Sequence, residues 1–202
     1  GQRPAWVIRA GMLVYDYLAQ REILPGSGSI DLRAHPAGKP LKPDFTKGFI
    51  YSDGWVDDAR LVVLNAMDAV ARGAVIRTRT RCIGATRDSG VWLVTLEDRD
   101  SGKRSQIRAR SLVNAAGPWV ARVIADQVQA RPPAQIRLVQ GSHIVVRKLF
   151  DHDRCYIFQN ADGRIVFAIP YERDFTLIGT TDRDYKGDPA SPAASPEEVS
   201  YL

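Results

Sequence analysis

The stretch "QGSHIVV" places an imidazole at the start of an apolar run typical of a β-strand. His143 follows Gly141 and Ser142, and a glycine at such a position lets another backbone or a ligand approach closely. An imidazole titrates near neutral pH and can act as a base or as a hydrogen-bond donor. A lone histidine beside a strand is more often structural than catalytic, so His143 is a candidate that needs independent support.

The stretch "LIGTTD" gives that candidate some support. Thr180 and Thr181 follow an apolar strand, so their hydroxyls are predicted to lie at the end of a sheet, where they can bind oxygen atoms of a substrate. The alternative is a turn in which the threonines only cap the segment before Asp182. Nucleophilic catalysis is not indicated, because the G-x-S-x-G motif is absent and neither Cys82 nor Cys155 has a histidine placed by a motif.

A third candidate is the run of small residues within "SLVNAAGPWV". Ala115, Ala116 and Gly117 end an apolar run that lacks polar alternation. That run, Leu112 to Ala115, predicts a strand covered on both faces, as in a parallel sheet. A helix from Trp119 to Gln127 is expected next, and such a turn presents free N–H groups and a helix dipole to an anion or a nucleotide. Close packing of strand on helix is the alternative, and the local pattern slightly favours it.

The elements that position these residues begin with two predicted helices. Residues 4–21 carry apolar side chains at three- and four-residue steps, which predicts an amphipathic helix that packs on the protein or rests on a membrane surface. Residues 24–47 are rich in Gly, Pro and Ser and predict a long loop. The second helix is predicted over 59–72, with Asp57 as its cap and Gly73 as its end.

Two sheets are predicted after the second helix. A β-like run over 75–82 and the turn signals "RDSG" and "RDSGK" predict a β-meander that leads to the small-residue turn. Beyond "ARPPAQ", the runs "IRLVQGSHIVV", "RCYIFQN", "RIVFAIP" and "FTLIGTT" predict antiparallel strands, with "ADG" and "YERD" as turns. The tail begins another helix, because Ser195 is a capping residue, Pro196 suits the first turn, and two acidic residues follow.

Composition restricts the class of protein. The chain has 202 residues and 45% hydrophobic content, enough for one large or two small domains, and no uncharged run reaches the roughly 18 to 20 residues that span a bilayer. Lys and Arg outnumber Asp and Glu by 28 to 23, which permits an anionic partner such as a phosphate substrate or a lipid. The basic residues are scattered, which disfavours nucleic acid. The two cysteines lack the spacing of a metal site, so no metal and a reducing cytoplasm are expected.

Several motifs together resemble the FAD-dependent, membrane-associated glycerol-3-phosphate dehydrogenases of the aerobic respiratory type. They are "RPAWVIRAGMLVYDYL", "YSDGWVDDARLVVLNA", "RTRTR", "LVNAAGPWV", "IRLVQGSHIVV", "FAIPY" and "LIGTTDRDYKGDP", and they extend along essentially the whole chain. "LVNAAGPW" alone would indicate only the broad class of amine- and amino-acid-oxidase-like flavoproteins. Threonine often stands in the family where this chain has Ala116.

The resemblance implies a mixed α+β and α/β fold. Part of an FAD-binding doubly wound domain with a β-meander would be interleaved with an antiparallel-sheet substrate domain. Residues 1–55 and 131–202 would belong to the substrate domain, and residues 56–130 to the FAD domain. The residues that the family would place against FAD are Cys82, Ala115, Ala116, Gly117 and Trp119.

The resemblance also implies a reaction and partners. The substrate would be sn-glycerol 3-phosphate, oxidised to dihydroxyacetone phosphate with hydride passing to FAD and electrons to a quinone. His143 would be a catalytic group, and Thr180 and Thr181 would bind substrate. The family further implies peripheral attachment to the cytoplasmic face of the inner membrane and a possible homodimer, with no nucleic-acid partner.

The chain resembles an internal piece of such an enzyme. The G-x-G-x-x-G motif occurs nowhere in it, and the arginines that would hold the substrate phosphate are expected elsewhere in the longer protein. The 202 residues alone are therefore expected to bind FAD weakly or not at all and to be inactive. Two alternatives remain: another FAD-dependent amine or hydroxy-acid oxidoreductase, and a non-catalytic module that binds an anion or a lipid.

Overall fold

The computed structural model describes residues 3–18, 23–131 and 136–202, which form an α+β structure of helices and antiparallel sheets. The helices are α1 (Ala5–Tyr17), α2 (Asp58–Ala71), α3 (Val120–Arg122) and α4 (Pro196–Tyr201). The strands are β1 (Gly28–Asp31), β2 (Lys47–Ile50), β3 (Thr80–Asp88), β4 (Val91–Asp98), β5 (Arg104–Ala109), β6 (Val139–Gln140), β7 (His143–Arg147), β8 (Tyr156–Gln159), β9 (Ile165–Tyr171), β10 (Phe175–Gly179) and β11 (Arg183–Asp184).

The chain divides into two compact units. The first comprises Gly1–Trp55, Val139–Tyr185 and Pro192–Leu202, and the second comprises Val56–Leu138 and Lys186–Ser191. Each unit has its own sheet, so each is described by itself.

The first unit is built on a four-stranded antiparallel sheet in the order β7-β10-β9-β8. Alternation along the strands buries Val166, Ala168 and Thr176, because successive side chains of a strand point to opposite faces. The predicted turns "ADG" and "YERD" connect β8 to β9 and β9 to β10. The sequence prediction of consecutive antiparallel strands is therefore confirmed.

Helix α4 and a short strand pair lie beside this sheet in the first unit. β11 pairs with β6, with Arg183 opposite Gln140. As predicted, Ser195 caps α4 and Pro196 occupies its first turn; the cap is a capping box completed by Glu198. At the other end of α4, the guanidinium of Arg164 lies 3.6 Å from the ring centroid of Tyr201, a cation–π contact that anchors the helix to the β8–β9 hairpin.

The first 55 residues differ from the sequence prediction in two ways. The helix predicted over 4–21 begins at Ala5, with Pro4 as its N-cap residue, and ends at Tyr17; residues 19 to 21 lie outside the described residues. The expectation of an irregular loop over 24–47 is wrong in part, because β1 and β2 form an antiparallel pair. β1 has the sequence Gly-Ser-Ile-Asp, which has little strand propensity, so its conformation depends on pairing with a segment far along the chain.

The second unit contains the predicted cap and helix α2. The side chain of Asp57 accepts a hydrogen bond of 3.0 Å from Arg60 N, and Gly73, with φ of +93°, terminates the helix. The apolar side chains of α2 are largely exposed, with Val62 at 69% and Met67 at 61%. The helix is therefore specified by its local signals and propensity more than by burial of its apolar side chains.

The β-meander is confirmed as the antiparallel sheet β3-β4-β5, with Ala85 and Val94 buried in it. Its first strand starts at Thr80, so the β-like run predicted over 75–82 is wrong for residues 75–79. The cause is Arg79, whose φ of +54° interrupts the extended backbone and whose guanidinium contacts Asp100.

The strand predicted over Leu112–Ala115 is not formed in the described part of the chain. Those residues have no regular secondary structure, and the side chain of Val113 is 84% exposed. A strand of a parallel sheet needs neighbours on both sides, and no described segment pairs with this one. The helix that follows is confirmed from 117 to 127, in the order 3₁₀ turn (Gly117–Trp119), α3 and π turn (Val123–Gln127).

Candidate functional site

His143 and Gly179 form one end of the paired strands β7 and β10. They are direct cross-strand partners, and Gly179 is buried. A Cβ atom at Gly179 would overlap the His143 ring, lying 2.6 Å from Cγ and 2.8 Å from Nε2. The imidazole therefore lies against the backbone of Gly179, where only glycine leaves room for it. His143 is exposed, and no hydrogen bond joins its ring nitrogens to the described part of the chain.

Thr180 lies at the same end of the sheet, against Gly141. A Cβ atom at Gly141 would meet the Thr180 hydroxyl oxygen and would lie 3.0 Å from the carbonyl oxygen of Thr181. The half-exposed Thr180 hydroxyl donates to Thr181 O at 2.8 Å, which leaves its oxygen lone pairs free to accept a hydrogen bond. The structure thus brings His143 and Thr180 together at one strand end, each seated against a glycine.

Thr181 is placed differently from Thr180, because its side chain is buried. Its hydroxyl donates to Glu198 Oε1 at 2.6 Å and accepts from Ser142 N at 2.9 Å. Ser142 Oγ also donates to Glu198 Oε1, at 2.9 Å. The single hydroxyl hydrogen of Thr181 is therefore committed to an internal network, which leaves Thr180 as the threonine whose side chain faces outward.

Glu198 is the centre of this buried network, and the sequence indicated it only as a first-turn acidic residue. Its second oxygen, Oε2, accepts from Ser195 N at 2.9 Å and lies 3.4 Å from Arg183 Nε. These bonds, led by the one from the Thr181 hydroxyl, lower the pKa of Glu198 from its ordinary 4.5 to about 2. The carboxylate is ionised and fully used at neutral pH.

Gln140 extends the network and was also missed by sequence reasoning. Its amide nitrogen donates to Ser142 Oγ at 3.1 Å and to Ala193 O at 2.8 Å. Its bond to Ala193 and the bond from Ser142 to Glu198 span more than fifty residues of sequence. The only local signal was the Ser195 to Glu198 capping-box spacing, which predicts a cap and not a partner at the sheet.

The small-residue turn in the second unit leaves backbone donors open. Asn114 stabilises it by donating to Val120 O at 2.9 Å and accepting from Ala116 N at 3.3 Å. Within the described residues, the N–H groups of Ala115 and Gly117 have no partner. Gly117 has φ of +52°, and a Cβ atom there would meet nothing within 4 Å. The turn therefore offers two free N–H groups without side chains in front of them.

The remaining predicted residues of the second unit are Trp119 and Cys82. Trp119 is 38% exposed, ends the 3₁₀ turn and is the N-cap residue of α3. Cys82 is a half-buried free thiol in β3, opposite Leu96, at the irregularity where the register shifts before Gly84. In the described ranges, no group of three or more His, Cys, Asp or Glu could hold a metal ion, and no helix has the length and hydropathy to cross a membrane.

The combination of a meander, an antiparallel sheet and an open small-residue turn is matched by a known family. The family model for FAD dependent oxidoreductases matches residues 2–202, and the chain belongs to that family. Over 99% of its length it is 56% identical to the glycerol-3-phosphate dehydrogenase of Pseudomonas aeruginosa and 48% identical to the aerobic glycerol-3-phosphate dehydrogenase of Escherichia coli. It is also 47% identical, over 99% of its length, to the D-erythritol 1-phosphate dehydrogenase of Brucella abortus.

A solved structure is similar as well. It is the crystal structure of the glycerol-3-phosphate dehydrogenase from Bacillus halodurans complexed with FAD, with a TM-score of 0.72 and 32% identity over 86% of this chain and 36% of that one. The chain spans 38% to 40% of the length of the three curated relatives above. The resemblance found in the sequence is thereby confirmed at the level of the family and its α+β fold.

The turn at Ala115 to Gly117 fits the cofactor of this family. A dinucleotide presents a flat ring system and a pyrophosphate, which require close approach to the backbone and hydrogen-bond donors. The open space in front of Gly117 and the free N–H groups of Ala115 and Gly117 provide both. The glycine-rich dinucleotide motif does not occur in the 202 residues, so this turn would hold only one part of an FAD molecule.

Proposed function

We propose that this chain forms part of an FAD-dependent dehydrogenase that oxidises the secondary alcohol of sn-glycerol 3-phosphate to dihydroxyacetone phosphate. The observation that carries the proposal is the 56% identity, over 99% of the chain, with the glycerol-3-phosphate dehydrogenase of Pseudomonas aeruginosa. The strand-end arrangement of His143 and Thr180 supports it, because alcohol oxidation requires a proton acceptor and a group that orients the hydroxyl.

In this proposal FAD is bound in part by the small-residue turn. Bound FAD supplies the hydride acceptor of the reaction. The N–H groups of Ala115 and Gly117 donate to it, and the small Ala116 keeps the approach open. Trp119 and the backbone at Cys82 complete the contacts that this chain contributes. The turn performs no chemistry itself but holds the cofactor through donors that need no rearrangement.

His143 and Thr180 act on the substrate. The imidazole accepts the proton of the reacting hydroxyl through whichever ring nitrogen is unprotonated, since neither is engaged by the described residues. Its contact with Gly179 restricts the ring orientation. The Thr180 oxygen accepts a hydrogen bond from a substrate hydroxyl, while Thr181 supports the site from beneath through its bonds to Ser142 and Glu198.

The electron acceptor and location belong to the same proposal. We propose a quinone as acceptor, peripheral attachment to the cytoplasmic face of the inner membrane, and a homodimer, as expected of aerobic respiratory members of the family. The name of the Escherichia coli relative, which specifies the aerobic enzyme, supports the respiratory assignment. The test measures the rate at which the full-length protein oxidises glycerol 3-phosphate with a soluble quinone analogue as the electron acceptor. The rate is compared with that in oxygen alone, which is measured as hydrogen peroxide formed. A higher rate with the quinone analogue supports a quinone acceptor.

A second candidate substrate is D-erythritol 1-phosphate. The erythritol phosphate dehydrogenase of Brucella abortus is 47% identical, nearly the same as the 48% of the Escherichia coli enzyme, so these two identities do not separate the substrates. Both are polyol phosphates with an oxidisable secondary hydroxyl. Both candidate substrates fit the same family and the same type of reaction, and they differ in the length of the polyol.

The test is anaerobic bleaching of the flavin in the full-length protein. The purified protein is expected to be yellow and to lose its visible flavin absorbance on addition of glycerol 3-phosphate, with a larger second-order rate constant of flavin reduction than with D-erythritol 1-phosphate. A preference for the erythritol compound would reassign the substrate. A colourless protein, or a flavin that neither compound reduces, would overturn the proposed function.

A further inference from the structure

We propose that Glu198 is a positioning residue for the polyol-phosphate site, which holds His143 and Thr180 in place through their chain neighbours Ser142 and Thr181. The inference rests on the proposed function, because it concerns the residues assigned there to the substrate. It adds a residue that touches neither substrate nor cofactor and that lies on α4, outside the sheet.

The first step is the convergence of two segments on one oxygen. Glu198 Oε1 accepts from Ser142 Oγ at 2.9 Å and from Thr181 Oγ1 at 2.6 Å. Ser142 precedes β7, and Thr181 follows β10 by two residues. The two segments are also bonded to each other, through Ser142 N to Thr181 Oγ1 at 2.9 Å and Thr181 N to Ser142 O at 3.3 Å. One carboxylate oxygen therefore fixes both segments.

The second step is the covalent link from this network to the site. Ser142 is bonded directly to His143, and Thr181 directly to Thr180. The close contacts of His143 with Gly179 and of Thr180 with Gly141 prevent either side chain from moving towards its glycine. If Ser142 or Thr181 shifts at Glu198, the neighbouring substrate-facing residue, His143 or Thr180, shifts with it.

The third step separates this role from helix capping. The capping box of α4 uses Oε2, which accepts from Ser195 N, and the backbone N–H of Glu198, which donates to Ser195 Oγ at 3.3 Å. The Oε1 bonds to Ser142 and Thr181 contribute nothing to the cap. Because all three side chains are buried, the two Oε1 bonds are protected from competition by water. The two oxygens of one carboxylate can therefore be tested separately.

The experiment uses the full-length flavoprotein and stopped-flow reduction of the bound flavin by glycerol 3-phosphate without oxygen. Glu198→Ala removes both sets of bonds, Ser142→Ala removes one Oε1 bond together with the bond from Gln140 to the same hydroxyl, and the matched control Ser195→Ala removes only the capping hydroxyl. Rates are expressed per bound flavin, so loss of folded protein does not lower them. Unfolding temperatures are measured in parallel.

Glu198→Ala and Ser142→Ala are expected to lower the limiting rate of flavin reduction by about 10- to 100-fold, because small displacements of positioned groups have effects of this size. The substrate concentration at half-maximal rate should change less. Glu198→Gln should recover part of the rate, since its amide oxygen can accept both Oε1 bonds. Ser195→Ala should lower the unfolding temperature but keep the rate within about twofold.

Two results would overturn the inference itself. One is a wild-type rate in both Glu198→Ala and Ser142→Ala, and another is an equal loss of rate in Ser195→Ala. If Glu198→Ala does not yield folded protein, the Ser142→Ala rate decides alone. A wild-type flavin that neither polyol phosphate reduces is a different result, because it overturns the proposed function and, with it, the inference.

Discussion

The imidazole of His143 lies on the backbone of Gly179, its direct partner across strands β7 and β10. The contact explains why a glycine stands at the end of an otherwise apolar strand. It also couples a residue with no proposed chemical role to the orientation of the proposed base.

Gly179→Ala in the full-length protein is therefore expected to displace the ring. The new methyl group would overlap His143 Cγ and Nε2, and the exposed ring can rotate towards solvent to avoid it. The limiting rate of flavin reduction should fall by about 10- to 100-fold. The free energy of unfolding should fall by about 1 to 3 kcal/mol, because the added methyl group overpacks a buried position.

Gly28→Ala is the matched control for this substitution. Gly28 also lies in a strand of the first unit, but a Cβ atom there would meet nothing within 4 Å. The control should retain its rate and its stability. Equal rates in Gly179→Ala and Gly28→Ala would mean that the ring position does not matter for the reaction.

His143 itself is expected to be more sensitive. His143→Ala should lower kcat by about 100-fold or more, in the range typical of a lost general base, while the absorption spectrum of the bound flavin stays unchanged. His35 provides a comparison, because its ring nitrogen accepts from Ala37 N at 3.1 Å and it has a structural role in a turn. His35→Ala should lower the free energy of unfolding, because it removes this hydrogen bond, and should leave kcat unchanged. An unaffected kcat in His143→Ala would make His143 structural.

The small-residue turn should be sensitive to side-chain size. Ala115→Leu would add a large side chain to the turn that carries the free N–H groups of Ala115 and Gly117, and it should weaken FAD binding by about 10-fold or more, equivalent to about 1.4 kcal/mol. Ala74→Leu, at an exposed alanine of the same unit, is the control. The ratio of flavin to protein absorbance after dialysis measures the effect. Full retention of flavin by Ala115→Leu would remove the turn from the cofactor site.

Elements specified by local signals were predictable from the sequence. Asp57 and Ser195 cap helices at the positions that their side chains and neighbours indicated, and the two Gly-containing turns of the meander formed as expected. These signals act over three or four residues. They need no knowledge of what the segment packs against.

Features that depend on distant partners were not predictable. β1 is a strand only because β2 pairs with it across the intervening loop, and within the described part of the chain residues 112–115 have no strand neighbours, although their apolar composition suggested them. In the sequence, Glu198 is an ordinary acidic residue of a helix's first turn. Its hydrogen bond with Ser142 spans fifty-six residues, so no local pattern indicated it. The sequence indicated the exposed His143 and the half-exposed Thr180, whereas the buried network beneath them emerged only from the fold.

Because the pKa of Glu198 is lowered in the folded protein, the free energy of unfolding depends on pH in a defined way. Its pKa falls from an ordinary 4.5 to about 2 on folding, chiefly because the Thr181 hydroxyl donates to the carboxylate. A carboxyl group with a lowered folded pKa contributes stability that is fully present above the unfolded value and is lost as pH falls towards the folded value. The contribution should therefore be constant above about pH 5.5 and decrease from about pH 4.5 downward.

The difference in unfolding temperature between the wild-type protein and Glu198→Gln isolates this contribution. The difference should be large and constant from pH 6 to pH 8, because the glutamine cannot ionise, and it should narrow as the pH is lowered towards 3.5. Glu197→Gln is the control on the same helix turn: its carboxylate is exposed, its pKa is lowered less, and the difference should be small at every pH. A wild-type to Glu198→Gln difference that stays constant down to pH 3.5 would contradict a low folded pKa for this carboxylate.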